Sequence, residues 1–424
     1  MRVLWLCNQC IPVVAKHLDM NIGNKEGWLS ALSEKLIFDN DSNITLGVCF
    51  PWDKSHSDFK GDYEITAYAF YEDRVNFHLY DDALEERFSV ILDDFKPDVI
   101  HIFGTEYSHT LAMCKACHHP SKILIGIQGL ISVYARHYFD ALPEKIINKK
   151  TLRDALKKDG IKEQFDKYTI RGEHEIEAIK IAGNVTGRTD WDRENVKKIN
   201  SNAVYYFMNE TLRSNFYEGS WNYDSCEKHS IFVSQGDYPI KGLHVCLEAL
   251  AHIKEKYPDV KLYVAGNKIN GEDSLKKKIL IGEYGKYINE LINKHNLKDN
   301  VVFTGSLDAK AMKERYLKSN VFLLPSIMEN SPNSLGEAML LKMPIVTSDC
   351  GGVRNLLNND EGYIFPSCDE EKLSEAVIKV FDEKDSEELL KMCEKACNHA
   401  RNTHDANKNL GRLKEIYSEI DKKN

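Results

Sequence analysis

The chain has 424 residues, 42% hydrophobic and 29% charged, which is apolar material for two or three full-sized cores and too much for a largely disordered chain. Its 56 Lys and Arg against 65 Asp and Glu give a net charge of -9, which argues against a general nucleic-acid binder. Eleven cysteines, an odd number with several inside apolar runs, argue against a disulfide framework and fit reduced thiols packed as small hydrophobes.

In chain order, the first apolar run is 3–6, and the polar Asn8 and Gln9 directly after it leave no apolar region of the signal-peptide kind. No stretch of about 18 residues is free of charge and strong polarity, so no membrane-spanning helix is expected. The expected location is the cytosol, with at most peripheral contact at the inner face of the plasma membrane. Short runs rich in β-branched residues follow at 44–49, 99–103, 123–127, 184–186 and 203–205, separated by helical patterns such as 28–38. The alternation repeats at 230–234, 260–265, 301–304, 321–324, 344–347 and 362–365. It predicts an α/β chain of two doubly wound, Rossmann-like domains, 1–207 and 229–402, joined by a polar, aromatic linker at 208–228. From about 387 the pattern is helical. Leu410, Leu413, Ile416, Tyr417 and Ile420 recur at spacings of three and four, so the segment from about 403 to 424 is expected to pack back on the first domain.

Several motifs point elsewhere only formally. None of the 24 glycines has another two positions away, so the dinucleotide fingerprint cannot occur, and neither a P-loop nor a nucleophile elbow is present. Cys7 and Cys10, and Cys114 and Cys117, form two C-x-x-C pairs that would suggest zinc or redox chemistry only if they met in space. Asp190 and Asp192 form a D-x-D pair of the kind a metal-dependent sugar-nucleotide enzyme uses, which also arises readily by chance in an acidic chain. Glu173, His174 and Glu175 do not follow the H-E-x-x-H spacing and read as the solvated face of a helix.

The informative stretch is 325–339, PSIMENSPNSLGEAM, which follows a strand and opens a helix. Pro332 and Asn333 can start that helix, leaving the amides of Asn333, Ser334, Leu335 and Gly336 unpaired at the carboxyl end of the sheet, where a phosphate group binds. Glu329 lies in the loop before the helix and Glu337 in its second turn. Two carboxylate acceptors beside an anion trap suit sugar and ribose hydroxyls. Lys241, followed by Gly242 where a strand passes into a helix, is placed to neutralise a diphosphate, and Gly351-Gly352 permits a close backbone approach.

These residues resemble the retaining glycosyltransferases of family 4, of the bacterial surface-polysaccharide type, whose GT-B architecture has two Rossmann-like domains facing across a cleft. The resemblance extends over nearly the whole chain: Glu329 and Glu337 with seven residues between them, then Met343-Pro344 and Gly351-Gly352 at the family's spacing, with Asp98 to His101 and Val302 to Gly305 as framework strands. The resemblance implies that Glu329 contacts the donor hexose, Glu337 the ribose, and Lys241 with the amides of 334–336 the diphosphate. It implies same-face displacement in which the leaving diphosphate helps take the acceptor proton, with neither metal nor cofactor required. The implied partners are a nucleoside diphosphate sugar and a glycan or lipid-linked acceptor, with no nucleic acid.

The chain departs from the family at four places. Ser234-Gln235 stands where Gly-Arg is usual, so the role of the missing cation passes to Gln235 or Arg188. Gln128-Gly129 replaces His-Gly, and a glutamine can bond a sugar hydroxyl but cannot carry a proton. The N-terminal glycine loop is reduced to Gly23 and Asn24, and Asn355 stands where a glutamate is usual. His101 has two readings, a catalytic residue or a satisfied core histidine at the end of an apolar strand. Residues 143–163 carry seven Lys or Arg against four Asp or Glu, interleaved with Ile146, Ile147, Leu152, Leu156 and Ile161, which fits either a lipid-facing segment of the first domain or a solvated helix. Two rival functions remain compatible with the residues: another GT-B reaction, such as a sugar-nucleotide epimerase or a phosphorylase, and a non-catalytic sugar-nucleotide binder.

Overall fold

The computed structural model describes residues 1–20, 27–39, 43–271 and 280–423. The chain divides into two compact units: Met1–Ala135 with Lys167–Leu212 and His404–Asn424, and Arg136–Asp166 with Arg213–Thr403.

The first unit is built on a sheet of β1 (Arg2–Leu6), β2 (Thr45–Trp52), β3 (Lys60–Asp62), β4 (Thr66–Tyr71), β5 (Val99–Phe103), β6 (Ile123–Gly126), β7 (Asn184–Gly187) and β8 (Val204–Phe207). Their order is β3-β4-β2-β1-β5-β6-β7-β8, parallel throughout except for β3 against β4. The sequence predicts six of these strands and misses β3 and β4, because β4 (TAYAFY) is made of alanines and aromatics in place of a Val/Ile run. Alternation along β1 sends Leu4 and Leu6 into one core layer with Phe70 and Phe88, and Val3, Trp5 and Cys7 into the other with Val48 and Phe50.

The C-terminal helical segment is two helices, Glu387–Thr403 and Ala406–Asp421, broken where the Asp405 carboxylate accepts from the amides of Asn407 and Lys408. The second of them contributes Leu413, Ile416, Tyr417 and Ile420 to the core layer that holds Trp5. Tyr417 is the hub of a buried polar group: its hydroxyl accepts from Trp5 Nε1 at 2.8 Å and lies 2.7 Å from His101 Nδ1.

His101 is 0% exposed, so the structure replaces its catalytic reading with that of a core histidine. Burial drives its pKa down to about 3 from 6.5, which keeps the ring neutral. The unfolded chain takes up that proton below pH 6.5 and the folded chain does not, so stability from this group is present above 6.5 and lost as pH falls towards 3. The loss amounts to about 2 kcal/mol by pH ~5. Urea unfolding between neutral pH and pH ~5 is therefore expected to show a shallower decline in His101→Asn than in the unsubstituted chain; equal slopes would refute the assignment.

The second unit carries β9 (Glu227–Val233), β10 (Lys261–Ala265), β11 (Val301–Gly305), β12 (Ser319–Leu324), β13 (Ile345–Asp349) and β14 (Tyr363–Pro366), all parallel, in the order β11-β10-β9-β12-β13-β14. This is the doubly wound order in which the direction of winding reverses between β9 and β12.

The expected linker at 208–228 is packed, not loose. Phe216 is 0% exposed, Trp221 donates from Nε1 to the Ser319 carbonyl at 2.7 Å, and the unit boundary falls between Leu212 and Arg213. Residues 136–166, expected within the first domain, belong to the second unit: Asp154 is 1% exposed and accepts from the Glu283 amide at 2.8 Å, at the start of the helix Glu283–Lys294. Among the described residues no helix is long and apolar enough to cross a membrane.

Candidate functional site

The reversal between β9 and β12 places the loops after both strands side by side at the carboxyl edge of the second sheet, the position where open α/β sheets bind ligands. After β9 the chain runs through the half-buried Gln235 into a short 3-10 turn, Pro239–Lys241, and then the helix Leu243–Lys256. After β12 it forms the loop that carries Glu329 and then the helix Asn333–Leu340, with Pro332 as its N-cap.

Two glycines fix the Glu329 loop by backbone contact. Gly242 has φ +71, and a Cβ there would sit 2.0 Å from the Pro325 carbonyl oxygen. Gly351 has φ +50, and a Cβ there would sit 1.8 Å from the carbonyl oxygen of Glu329 itself. The Gly352 amide donates to that same carbonyl at 3.1 Å, and the Ile327 amide to the Ile240 carbonyl at 2.8 Å.

Lys241 Nζ lies 2.5 Å from Glu329 Oε1, and Ser326 Oγ donates to the same oxygen at 2.8 Å. The pair is largely shielded from water, with side-chain exposures of 16% and 8%. Both donors use Oε1, so Oε2 is the oxygen left for a ligand hydroxyl.

Glu337 is held by Arg213, whose Nε and Nη2 approach its Oε1 at 2.7 and 2.6 Å. The buried Tyr316 hydroxyl lies beside this carboxyl and donates to the Ser334 carbonyl at 3.0 Å. Burial pushes the Glu337 pKa up to about 7, against the pull of Arg213. Leu335 and Gly336 are buried, and the Leu335 amide, expected to be unpaired, donates to the Pro332 carbonyl at 3.0 Å, while Asn333 and Ser334 are half-exposed at the open first turn.

Glu329, Lys241, Glu337, Gln235 and the amides of 333–336 thus share one edge of one sheet. Arg188 and Gln128 do not belong to this group. They lie in the first unit, at the carboxyl ends of β7 and β6, where Glu210 joins them: Arg188 Nη1 reaches its Oε2 at 2.8 Å and Gln128 Nε2 its Oε1 at 2.6 Å. Arg188 is 5% exposed and engaged by Glu210 in that buried pair. Gly23 and Asn24 lie outside the described residues.

The formal motifs dissolve on inspection of their surroundings. Cys7 and Cys10 sit in one core layer and Cys114 and Cys117 in the other, and no group of three or more metal-binding side chains occurs among the described residues. Asp192 is 0% exposed and caps its own helix by accepting from the Arg188 and Thr189 amides, whereas Asp190 pairs with Arg193 at the surface. Glu175 is not solvated as expected: it is 1% exposed and accepts from Ser132 Oγ and from the amides of Ile131 and Ser132.

Arg213, Tyr316, Ser326 and Glu210 were not singled out from sequence. The signal for Arg213 is its neighbour Phe216, whose ring it covers at 4.7 Å: an aromatic among polar residues marks a packed segment.

Residues 218–402 match the glycosyl transferases group 1 family. Within the second unit, that span includes Lys241, Glu329 and the helix Asn333–Leu340, and Arg213 lies just outside it. WcaL of Escherichia coli (strain K12), a glycosyltransferase named for colanic acid biosynthesis, is 28% identical over 163 residues, 37% of this chain. The match spans 36% of that relative's length, little more than a third. Among solved structures, sucrose-phosphate synthase from Thermosynechococcus elongatus aligns over 99% of both chains with TM-score 0.69 at 13% identity. Anabaena HepE in complex with UDP-glucose aligns over 99% of this chain and 100% of its own with TM-score 0.66 at 14% identity. The structural likeness is one of fold, two parallel-sheet Rossmann-like domains of the GT-B kind.

Proposed function

We propose that the chain is a retaining glycosyltransferase that moves a hexose from a nucleoside diphosphate sugar to a glycan or lipid-linked acceptor, in bacterial surface-polysaccharide synthesis. The observation that carries this reading is the grouping of a helix N-terminus, Lys241 and two shielded glutamates at the reversal of the second sheet, inside or beside the span that matches the group 1 family. Anabaena HepE, which shares the fold, is a complex with UDP-glucose, and this supports a nucleotide-sugar donor.

In this reading the diphosphate rests on the amides of Asn333, Ser334 and Gly336 and draws Lys241 away from Glu329. Glu329 Oε2 accepts from a hexose hydroxyl, and Glu337 from a ribose hydroxyl. The bond between the anomeric carbon and the diphosphate oxygen breaks with its electron pair going to the diphosphate. The acceptor oxygen bonds to the same face of that carbon, and its proton passes to the leaving phosphate oxygen. The chain's work is positioning and stabilising charge on the leaving group, for which Lys241 and the helix amides suffice without a metal. Gln128, held by Glu210, is assigned to an acceptor or donor hydroxyl and to no proton transfer.

A thermal-shift panel of UDP, GDP, ADP and their sugars, with and without EDTA, tests this. One nucleotide is expected to raise the melting temperature irrespective of chelator, by the equivalent of about 2.7 kcal/mol at a hundredfold excess over Kd. Lys241→Ala is expected to abolish most of that shift. No shift with any nucleotide would overturn the reading, and a shift lost on chelation would overturn the metal-independent mechanism.

A further inference from the structure

The helix Leu152–Lys157 is inside out. Its buried residue is a charged one, Asp154, while Leu152 and Leu156 are 70% and 72% exposed. A surface helix ordinarily turns its leucines inward, and singly scattered exposed apolar residues need no explanation, but two large ones a turn apart on one face do.

The anchoring of the helix shows why the inversion is stable. Asp154 forms a capping box with Thr151 and also accepts from the Glu283 amide, so it serves the start of two helices at once. Arg153 is turned the same way, bridging Asp154 at 3.0 Å and Asp159 at 2.7 Å. Polar contacts hold the segment to the second unit, and its apolar face is left outward.

The charge of the segment that carries that face is mostly positive. Of the four carboxylates in 143–163, Asp154 and Asp159 are engaged by Arg153 and Glu163 pairs with Lys150, which leaves Glu144 exposed. Lys145, Lys149, Lys157 and Lys158 are exposed and form no ion pair among the described residues. In a chain of net charge -9, this segment carries a local excess of exposed lysines alongside two outward leucines.

We propose that this face is a docking surface for an anionic lipid bilayer, with Leu152 and Leu156 inserted at the headgroup boundary and the four lysines against the lipid charge. A bilayer is the occupant that matches both properties, since an apolar protein groove would not call for unpaired lysines alongside the leucines, and a soluble anion would not call for the leucines. The inference does not depend on the donor site, because lipid binding needs no nucleotide.

The test is co-sedimentation of the full chain, without nucleotide, on vesicles of equal parts phosphatidylglycerol and phosphatidylcholine and on vesicles of phosphatidylcholine alone. Binding is expected to the anionic vesicles, weakening as salt is raised, with little to the neutral ones. Leu152→Ser with Leu156→Ser is expected to weaken binding at least about tenfold. Lys157→Glu with Lys158→Glu is expected to weaken it comparably. Both variants should keep the melting temperature and the nucleotide-induced shift of the unsubstituted chain, which separates loss of docking from loss of fold. Failure of the chain to bind anionic vesicles, or undiminished binding by the leucine variant, would overturn the proposal. So would self-association in solution that the leucine variant abolishes, which would make this face an interface between copies.

Discussion

Glu329→Gln is expected to lower kcat about a hundredfold to a thousandfold while leaving the nucleotide Kd within a few-fold. Glutamine keeps the shape and still accepts from Lys241 and Ser326, so the loop held by Gly242 and Gly351 should stay in place. What is lost is the carboxylate charge at Oε2, the oxygen assigned to a hexose hydroxyl whose hydrogen bond strengthens as positive charge develops on the ring. The nucleotide is bound by groups other than this one, hence the split between turnover and affinity. Steady-state kinetics with titration of the product nucleotide measures both. Turnover above a tenth of the unsubstituted rate would remove Glu329 from the chemistry.

Arg213→Met is expected to cost stability chiefly at alkaline pH, by about 1.4 kcal/mol near pH ~8, because the Glu337 carboxyl left buried without its partner must stay protonated. The size of the loss depends on pH. Glu337 has a folded pKa of about 7 against 4.5 when free, so the fold favours its protonated form. Stability from this group is fully present below 4.5 and declines as pH rises through 7, and Arg213 limits the decline. Removing Arg213 pushes the pKa higher still. The deficit of Arg213→Met should therefore be small near pH ~5 and largest near pH ~8, measured by urea unfolding at both. Glu337→Gln in the same chain should recover most of the stability at alkaline pH but not the affinity for nucleotide. A deficit independent of pH would show that Arg213 acts by packing on Phe216 and not by charge.

What was legible from sequence followed from short-range physics. The six strands of the second sheet could be read because each is a short apolar run with at least one Val or Ile, bounded by turn residues, and their order set the Glu329 loop beside Lys241. The helix start at Asn333 was legible from Pro332 alone. The misses share a cause, which is that burial is decided by partners distant in sequence. His101 is buried against Tyr417, 316 positions away, and Arg188 is occupied by Glu210 from the segment read as a linker. Glu175 looked solvated because nothing near it in sequence announces that it will cap the helix Ile131–Arg136. For 152–157 the apolar pattern was visible, but that Asp154 would be the residue turned inward was set by its meeting Glu283.

The division of the chain into units has a temporal consequence. Synthesis runs from residue 1 upward, yet the first unit owns the last stretch, 404–424, and its central Trp5 finds its hydrogen-bond acceptor only when Tyr417 has been made. The second unit needs nothing beyond Thr403. On the ribosome, the unit that begins first is therefore completed last, and during elongation the face of β1 that carries Trp5 waits open for a helix still untranslated. A chain released short of Tyr417 would hold a finished second unit and an unfinished first one, with the apolar layer of Val3, Trp5 and Val48 as the surface that a chaperone would meet.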